Sequence, residues 1–153
     1  MSVVKDYRFP VSIDLVEGRR TVASAAWKPD LQIATPPEFI GGVLGVWSPE
    51  DLLVASTAAC YAVTLAAVAE LREVPIRSLS VSGTGHVTRR NDGKFGFVAI
   101  ELDVRLETDP DLIEAAERAA RRAEEQCIVT MALDVPVHVG LDVRTAAPEG
   151  ALR

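Results

Sequence analysis

Residues 48–72 read SPEDLLVASTAACYAVTLAAVAELR, and the fold turns on how that stretch is read. Ser48-Pro49-Glu50-Asp51 is a helix start: an N-cap hydroxyl, a proline at the first helical position and two acids in the first turn. Ser48 and Asp51, three residues apart, resemble a capping box. Leu52 to Ala69 then carries no formal charge, and apolar residues fall on every side of the helix. Such a helix is expected to run buried through a core, with Cys60 near its middle. A membrane span is the rival reading, because the uncharged run just reaches spanning length. Its many Ala, Ser and Thr residues and the lack of a flanking basic cluster argue against that. Cys60 itself has two readings, core filler or reactive thiol.

The rest of the chain supplies strands. Tyr7, Phe9, Val11, Ile13 and Leu15 alternate with polar residues and Pro10, which predicts a half-buried edge strand. Glu17-Gly18-Arg19-Arg20 is a turn, and strands around 21–26 and 31–34 complete an antiparallel meander. Thr35 to Trp47 is a Pro/Gly-rich loop carrying Phe39, Ile40, Val43, Leu44, Val46 and Trp47. Loops are usually polar, so this one is expected to be covered by a partner chain, to line a pocket, or both. After the long helix, 76–90 and 94–107 read as strands joined at the hairpin signal Asn91-Asp92-Gly93. Asp109-Pro110 opens a second, amphipathic helix ending near Gln126, with Asp109 expected as its N-cap. Cys127 follows at once, then a short apolar turn, 128–133, and a last strand through Val137, Val139, Leu141 and Val143. The tail 145–153 is expected to fray.

The 153 residues suit a single domain with its core at about 7–144. Hydrophobic content of 48% and charged content of 25% are those of a soluble globular protein. A net charge of −6 without a basic block argues against nucleic acid and anionic membrane surfaces as partners. The N-terminal MSVVKDYRFP lacks signal-peptide character, so a cytoplasmic location is expected. Two cysteines there point to redox or catalytic chemistry rather than a structural staple.

No C-x-x-C, P-loop, G-x-G-x-x-G or G-x-S-x-G occurs. Cys60, Cys127, His86 and His138 are permitted zinc ligands but have no ligand spacing. His86 and His138 sit on alternating strand patterns, where a hydrogen-bonded or exposed imidazole is the ordinary reading. A reactive Cys60 has a physical requirement. Mid-helix burial raises a thiol's pKa, and the helix N-terminus is too distant to offset it. A cation from elsewhere is then needed. Arg19 and Arg20 are the candidates, with Glu50 as the carboxylate that would hold the guanidinium. Plain solvation is the alternative for both arginines.

Three stretches resemble the OsmC/Ohr family, the osmotically inducible and organic hydroperoxide resistance proteins. Ser48-Pro49-Glu50-Asp51-Leu52-Leu53 followed by Ala58-Ala59-Cys60-Tyr61 is similar to the family's central-helix signature. Thr35-Pro36-Pro37-Glu38-Phe39-Ile40-Gly41-Gly42 is similar to its T-P-x-E-hydrophobic-G-G loop. Cys127-Ile128-Val129-Thr130-Met131-Ala132 is similar to its C-P-aromatic-S-x-A segment, with Ile128 in place of proline and Thr130 in place of serine. The resemblance spans about 7–144. It implies an α+β fold, antiparallel sheets around a long buried helix, in an intertwined homodimer. It also implies thiol peroxidase activity on organic hydroperoxides without metal, haem or other cofactor. Cys60 would be the peroxidatic and Cys127 the resolving cysteine, with Arg19 activating Cys60 and Glu50 pairing with that arginine. The reductant would be an external dithiol, a lipoylated protein in the Ohr branch. A redox-sensing or lipophile-binding module without turnover is the alternative, and a thioesterase-like use of Cys60 a third, for which no histidine is placed by a motif.

Overall fold

The computed structural model describes residues 4–147, and they form two compact units that divide in sequence at Leu52 and Leu53. The first unit holds a three-stranded antiparallel meander: β1 (Ser12–Glu17), β2 (Arg20–Ser24) and β3 (Leu31–Ala34), in the order β1-β2-β3. The β1–β2 turn is made by Gly18 in the left-handed region (φ 57°), beside a register shift between Leu15 and Glu17. Pairing begins at Ser12, after Pro10, and puts β1 at the sheet edge. The alternation in β1 does not make a half-buried strand. Ile13, Leu15 and Val16 are 56%, 71% and 65% exposed. Period two sorts side chains onto two faces, but here neither face is covered.

The apolar loop after β3 is closed by its own backbone. The Phe39, Gly42 and Val43 N–H groups donate to the carbonyls of Pro36, Phe39 and Thr35, and Ala34 N–H donates to Trp47 at 2.9 Å. Ile40 and Leu44 stay outside, 89% and 83% exposed, whereas Phe39, Val43 and Val46 are half-buried.

Helix α1 (Pro49–Leu71) begins as expected from its sequence. The Ser48 hydroxyl accepts from Asp51 N–H at 3.0 Å. The Asp51 carboxylate accepts from Ser48 N–H and Oγ at 2.9 and 2.8 Å. Both directions of a capping box are therefore made. The helix is long and apolar enough to cross a membrane by length and composition alone. In the second unit, however, it supplies a stripe to the core.

That unit is built on a sheet of order β4-β5-β6, with β4 (Ser78–Arg89) and β5 (Phe95–Thr108) antiparallel through the Arg90–Lys94 turn. Ile100, Leu102, Val104 and Leu106 of β5 point inward and are at most 1% exposed. Glu101, Asp103 and Arg105, between them, face solvent. Against the apolar face lie Tyr61, Leu65, Val68 and Ala69 of α1, and Ala116, Ala119, Ala120 and Ala123 of the helix α2 (Ile113–Gln126). Small alanine side chains let α2 lie close to its neighbours. The other side of α1 is not buried: Ala59, Val63, Ala66 and Ala67 are exposed, Val63 at 66%. The expectation of burial on all sides is therefore corrected to burial along one stripe. A uniformly apolar helix has no periodicity to say which side packs, and within this chain only one side does.

Three other expectations differ. Strand β6 (Val137–Thr145) pairs with β5 in parallel, so the second sheet is mixed rather than antiparallel. Alternation alone does not encode strand direction; here a helical crossover of α2 and α3 (Ile128–Ala132) returns the chain to the same end. Asp109 does not cap α2. A single 3-10 turn, Pro110–Leu112, comes first, and the Asp109 carboxylate accepts from Arg77 at 2.9 and 3.1 Å instead. The expected frayed tail begins too early, because Thr145 closes β6 and Ala146 N–H donates to Thr108. Residues 148–153 of that tail lie outside the described residues.

Gly83 on β4 shows how closely α1 approaches the sheet. A Cβ there would stand 2.7 Å from a Val54 methyl and 3.3 Å from Leu102. Gly83→Ala is expected to destabilise the protein by about 1–3 kcal/mol through overpacking. The exposed neighbour Thr84→Ala is expected to change stability by under about 0.5 kcal/mol. Urea denaturation of the two variants checks this.

Candidate active site

Cys60 sits on α1, half-buried, and Cys127 is fully buried where α2 ends. Both thiols are free. At Cys127 the backbone leaves the helical region (φ −70°, ψ 103°), and α3 starts at the next residue. The 128–133 segment, expected as a turn, is thus a short helix whose first N–H groups have no intrahelical acceptor. The Ile128 and Val129 N–H groups hydrogen-bond the Cys60 sulfur. Cys127 and Thr64, one helical turn beyond Cys60, hydrogen-bond it too. Burial raises the Cys60 pKa, and these bonds, Val129 first, more than offset it, so the thiol titrates below its ordinary value.

The two cysteines, far apart in sequence, are therefore brought together. The Thr130 hydroxyl donates to Cys127 Sγ at 3.1 Å. Tyr61, next to Cys60, is 1% exposed and donates its hydroxyl to the Ala120 carbonyl at 3.2 Å, tying α1 to α2. Burial, then Glu124 and Cys127, pushes that phenol far above its usual pKa, so it stays a neutral donor.

Arg19 and Glu50 belong to the first unit. The Arg19 guanidinium donates to the Ile40 carbonyl, and its side chain packs on Gly41 (φ 80°), where an added Cβ would lie 3.3 Å from it. The arginine turn and the T-P-x-E-hydrophobic-G-G loop, read separately in the sequence, are thus linked. One Glu50 carboxylate oxygen is buried without a hydrogen-bond partner among the described residues. Among those residues neither Arg19 nor Arg20 forms an ion pair with Glu50. His86 pairs with Glu101 at 3.4 Å on the exposed face of β5, and no three His, Cys, Asp or Glu side chains among the described residues are grouped for a metal.

Sequence reading missed the donors that act on Cys60 and Cys127. Thr64, four residues after Cys60 on a helix, was open to detection by spacing alone. The Ile128 and Val129 N–H groups were not, because their use depends on where the chain breaks at Cys127. A proline has no N–H to give, so Ile128→Pro is expected to raise the Cys60 pKa, and Val129→Pro to raise it more. The pH midpoint of Cys60 alkylation, followed in a Cys127→Ser background, measures both.

An α+β domain in which a long helix presents one cysteine to a second cysteine at the end of another helix defines the class. The family model described as OsmC-like protein matches residues 44–142, and the chain belongs to that family. Solved structures share the fold. An OsmC-like protein of unknown function from Vibrio cholerae is 14% identical, with TM-score 0.81 over 90% of this chain and 100% of its own. An organic hydroperoxide resistance protein OsmC from Legionella pneumophila is 24% identical, with TM-score 0.71 over 90% and 96%. The organic hydroperoxide resistance protein OhrB of Bacillus subtilis is 22% identical, with TM-score 0.65 over 90% and 98%. No curated protein matches the chain significantly.

Proposed function

We propose that this protein is a cytoplasmic, homodimeric thiol peroxidase that reduces organic hydroperoxides to alcohols in defence against oxidative stress. The observation that carries the reading is the contact between Cys60 and Cys127, with Cys60 drawn toward its thiolate by surrounding donors. The thiolate is the nucleophile of cysteine chemistry. It attacks the outer oxygen of the hydroperoxide, the O–O bond breaks, and the alkoxide takes a proton and leaves as the alcohol. Cys60 becomes a sulfenic acid. The Cys127 thiol condenses with it, releasing water and forming a disulfide. An external dithiol, such as that of a lipoylated protein, then supplies two electrons and restores both thiols.

Arg19 is assigned to stabilise the Cys60 thiolate and the charge on the leaving oxygen, and Glu50 to hold that arginine. The unpartnered buried oxygen of Glu50 supports this, since such an oxygen is costly without a donor. The exposed apolar side of α1, together with Ile40, Leu44 and β1, supports a two-fold partner covering apolar surface. Light scattering at micromolar concentration is expected to give twice the 16.4 kDa chain mass; a monomer there contradicts the assembly.

The test of function is peroxide consumption. Cumene hydroperoxide is expected to turn over faster than hydrogen peroxide, and faster with dihydrolipoamide than with thioredoxin. Oxidation of one equivalent without turnover under any dithiol would mark a sensor instead of an enzyme.

A further inference from the structure

The two sulfurs differ in access. Cys127 is 0% exposed, while Cys60 retains accessible surface. Cys127 Sγ also holds a hydrogen bond from the Thr130 hydroxyl, and Thr130 itself is only partly buried. An incoming thiolate must touch the sulfur it attacks, along the axis of the bond it breaks. A buried sulfur cannot be touched in that way. Exchange rates depend on which sulfur is attacked and on access to it, and a sulfur with no accessible surface is not reached at all.

We propose that the external thiol enters the Cys60–Cys127 disulfide at Cys60, and that Cys127 departs as a thiolate stabilised by the Thr130 hydroxyl. This rests on the redox-pair reading above and extends it to the reductive half of the cycle. The reductant's thiolate forms a new S–S bond to Cys60 as the Cys60–Cys127 bond breaks, and the electron pair of the broken bond goes to Cys127 Sγ. The Thr130 hydroxyl keeps its proton and hydrogen-bonds that thiolate, which then takes one proton from solvent. The reductant's second thiolate displaces Cys60, closing the reductant's own disulfide. Two electrons pass from dithiol to protein, and both cysteines return to thiols.

The test begins with protein oxidised by one equivalent of cumene hydroperoxide and shown by mass to have lost two hydrogens. It is opened with 2-mercaptoethanol, quenched in acid after short intervals, alkylated with N-ethylmaleimide and mapped by peptide mass spectrometry. The expected product carries mercaptoethanol on Cys60 and maleimide on Cys127. The reverse distribution overturns this inference and leaves the peroxidase reading intact. Failure to form the disulfide overturns this inference and the resolving role of Cys127, and leaves Cys60 to act as a one-cysteine peroxidase. Thr130→Val is expected to lower the ratio of the disulfide-opening rate to the Cys60 oxidation rate about tenfold, the size of one hydrogen bond to a charged group. Thr130→Ser is expected to restore it. An unchanged ratio in the valine variant removes Thr130 from the step.

Discussion

Cys60→Ser is expected to lower peroxide consumption by ~10³-fold or more, the loss typical when a nucleophile is removed from a site that otherwise stays intact. The reason lies in acidity. Donors from Val129, Cys127, Thr64 and Ile128 bring a thiol below its ordinary pKa. A serine hydroxyl is far too weak an acid for the same bonds to ionise it near neutral pH. Cys127 is no substitute, because it is wholly buried. Cys127→Ser behaves differently under the proposed cycle: Cys60 still reacts once with peroxide, but no disulfide follows, and a sulfenic acid accumulates that dimedone labels. Full turnover by Cys60→Ser would remove the peroxidase proposal outright.

Arg19→Ala is expected to cut turnover by ~10²-fold or more, as losing one charge-stabilising donor does in other enzymes. It is also expected to raise the pH at which Cys60 is alkylated, since a nearby cation favours the thiolate and its loss favours the thiol. The sign follows from the charge: activity falls most below the new pKa and partly recovers as pH rises through it. Glu50→Gln is expected to cost less, because it misorients the guanidinium without removing it. Arg20→Ala serves as the comparison, being the next residue and already on β2. If Arg19→Ala and Arg20→Ala both titrate and turn over like the wild type, the arginine mechanism is wrong. The backbone donors of Ile128 and Val129 would then be sufficient activation by themselves.

Those backbone donors mark the boundary of what the sequence made legible. Local chemistry was readable: the Ser48–Asp51 capping box, the Gly18 turn, the Asn91–Gly93 hairpin and the inward stripe of β5 all form as their residues require. Non-local geometry was not. Nothing in the alternation of Val137, Val139 and Leu141 distinguishes a parallel from an antiparallel neighbour. Nothing near Asp109 announces that Arg77, on the approach to another strand, will claim its carboxylate.

At the candidate site, the structure brings Cys60 and Cys127 together, a proximity that sequence spacing could not have given. The expectation that only a cation could offset mid-helix burial was incomplete for the same reason. It considered the N-terminus of α1 and left out that of α3, a helix not expected at all. The uniformly apolar α1 was legible as a helix but silent about how much of it the chain covers by itself.

The parallel pairing of β6 with β5 has a kinetic consequence. A hairpin such as β4–β5 needs only a tight turn to zip, whereas β6 must wait for the whole α2–α3 crossover to be drawn together. Cys127 lies on that crossover, between the last turn of α2 and α3. The surroundings that lower the Cys60 pKa therefore assemble among the slower steps of folding. Before that, Cys60 on a nascent or partly folded chain is an ordinary thiol, mostly protonated near neutral pH. Under the proposed function, the reactivity of Cys60 is in this sense gated by completion of the fold, and an unfinished molecule is spared the oxidation that the finished one would invite.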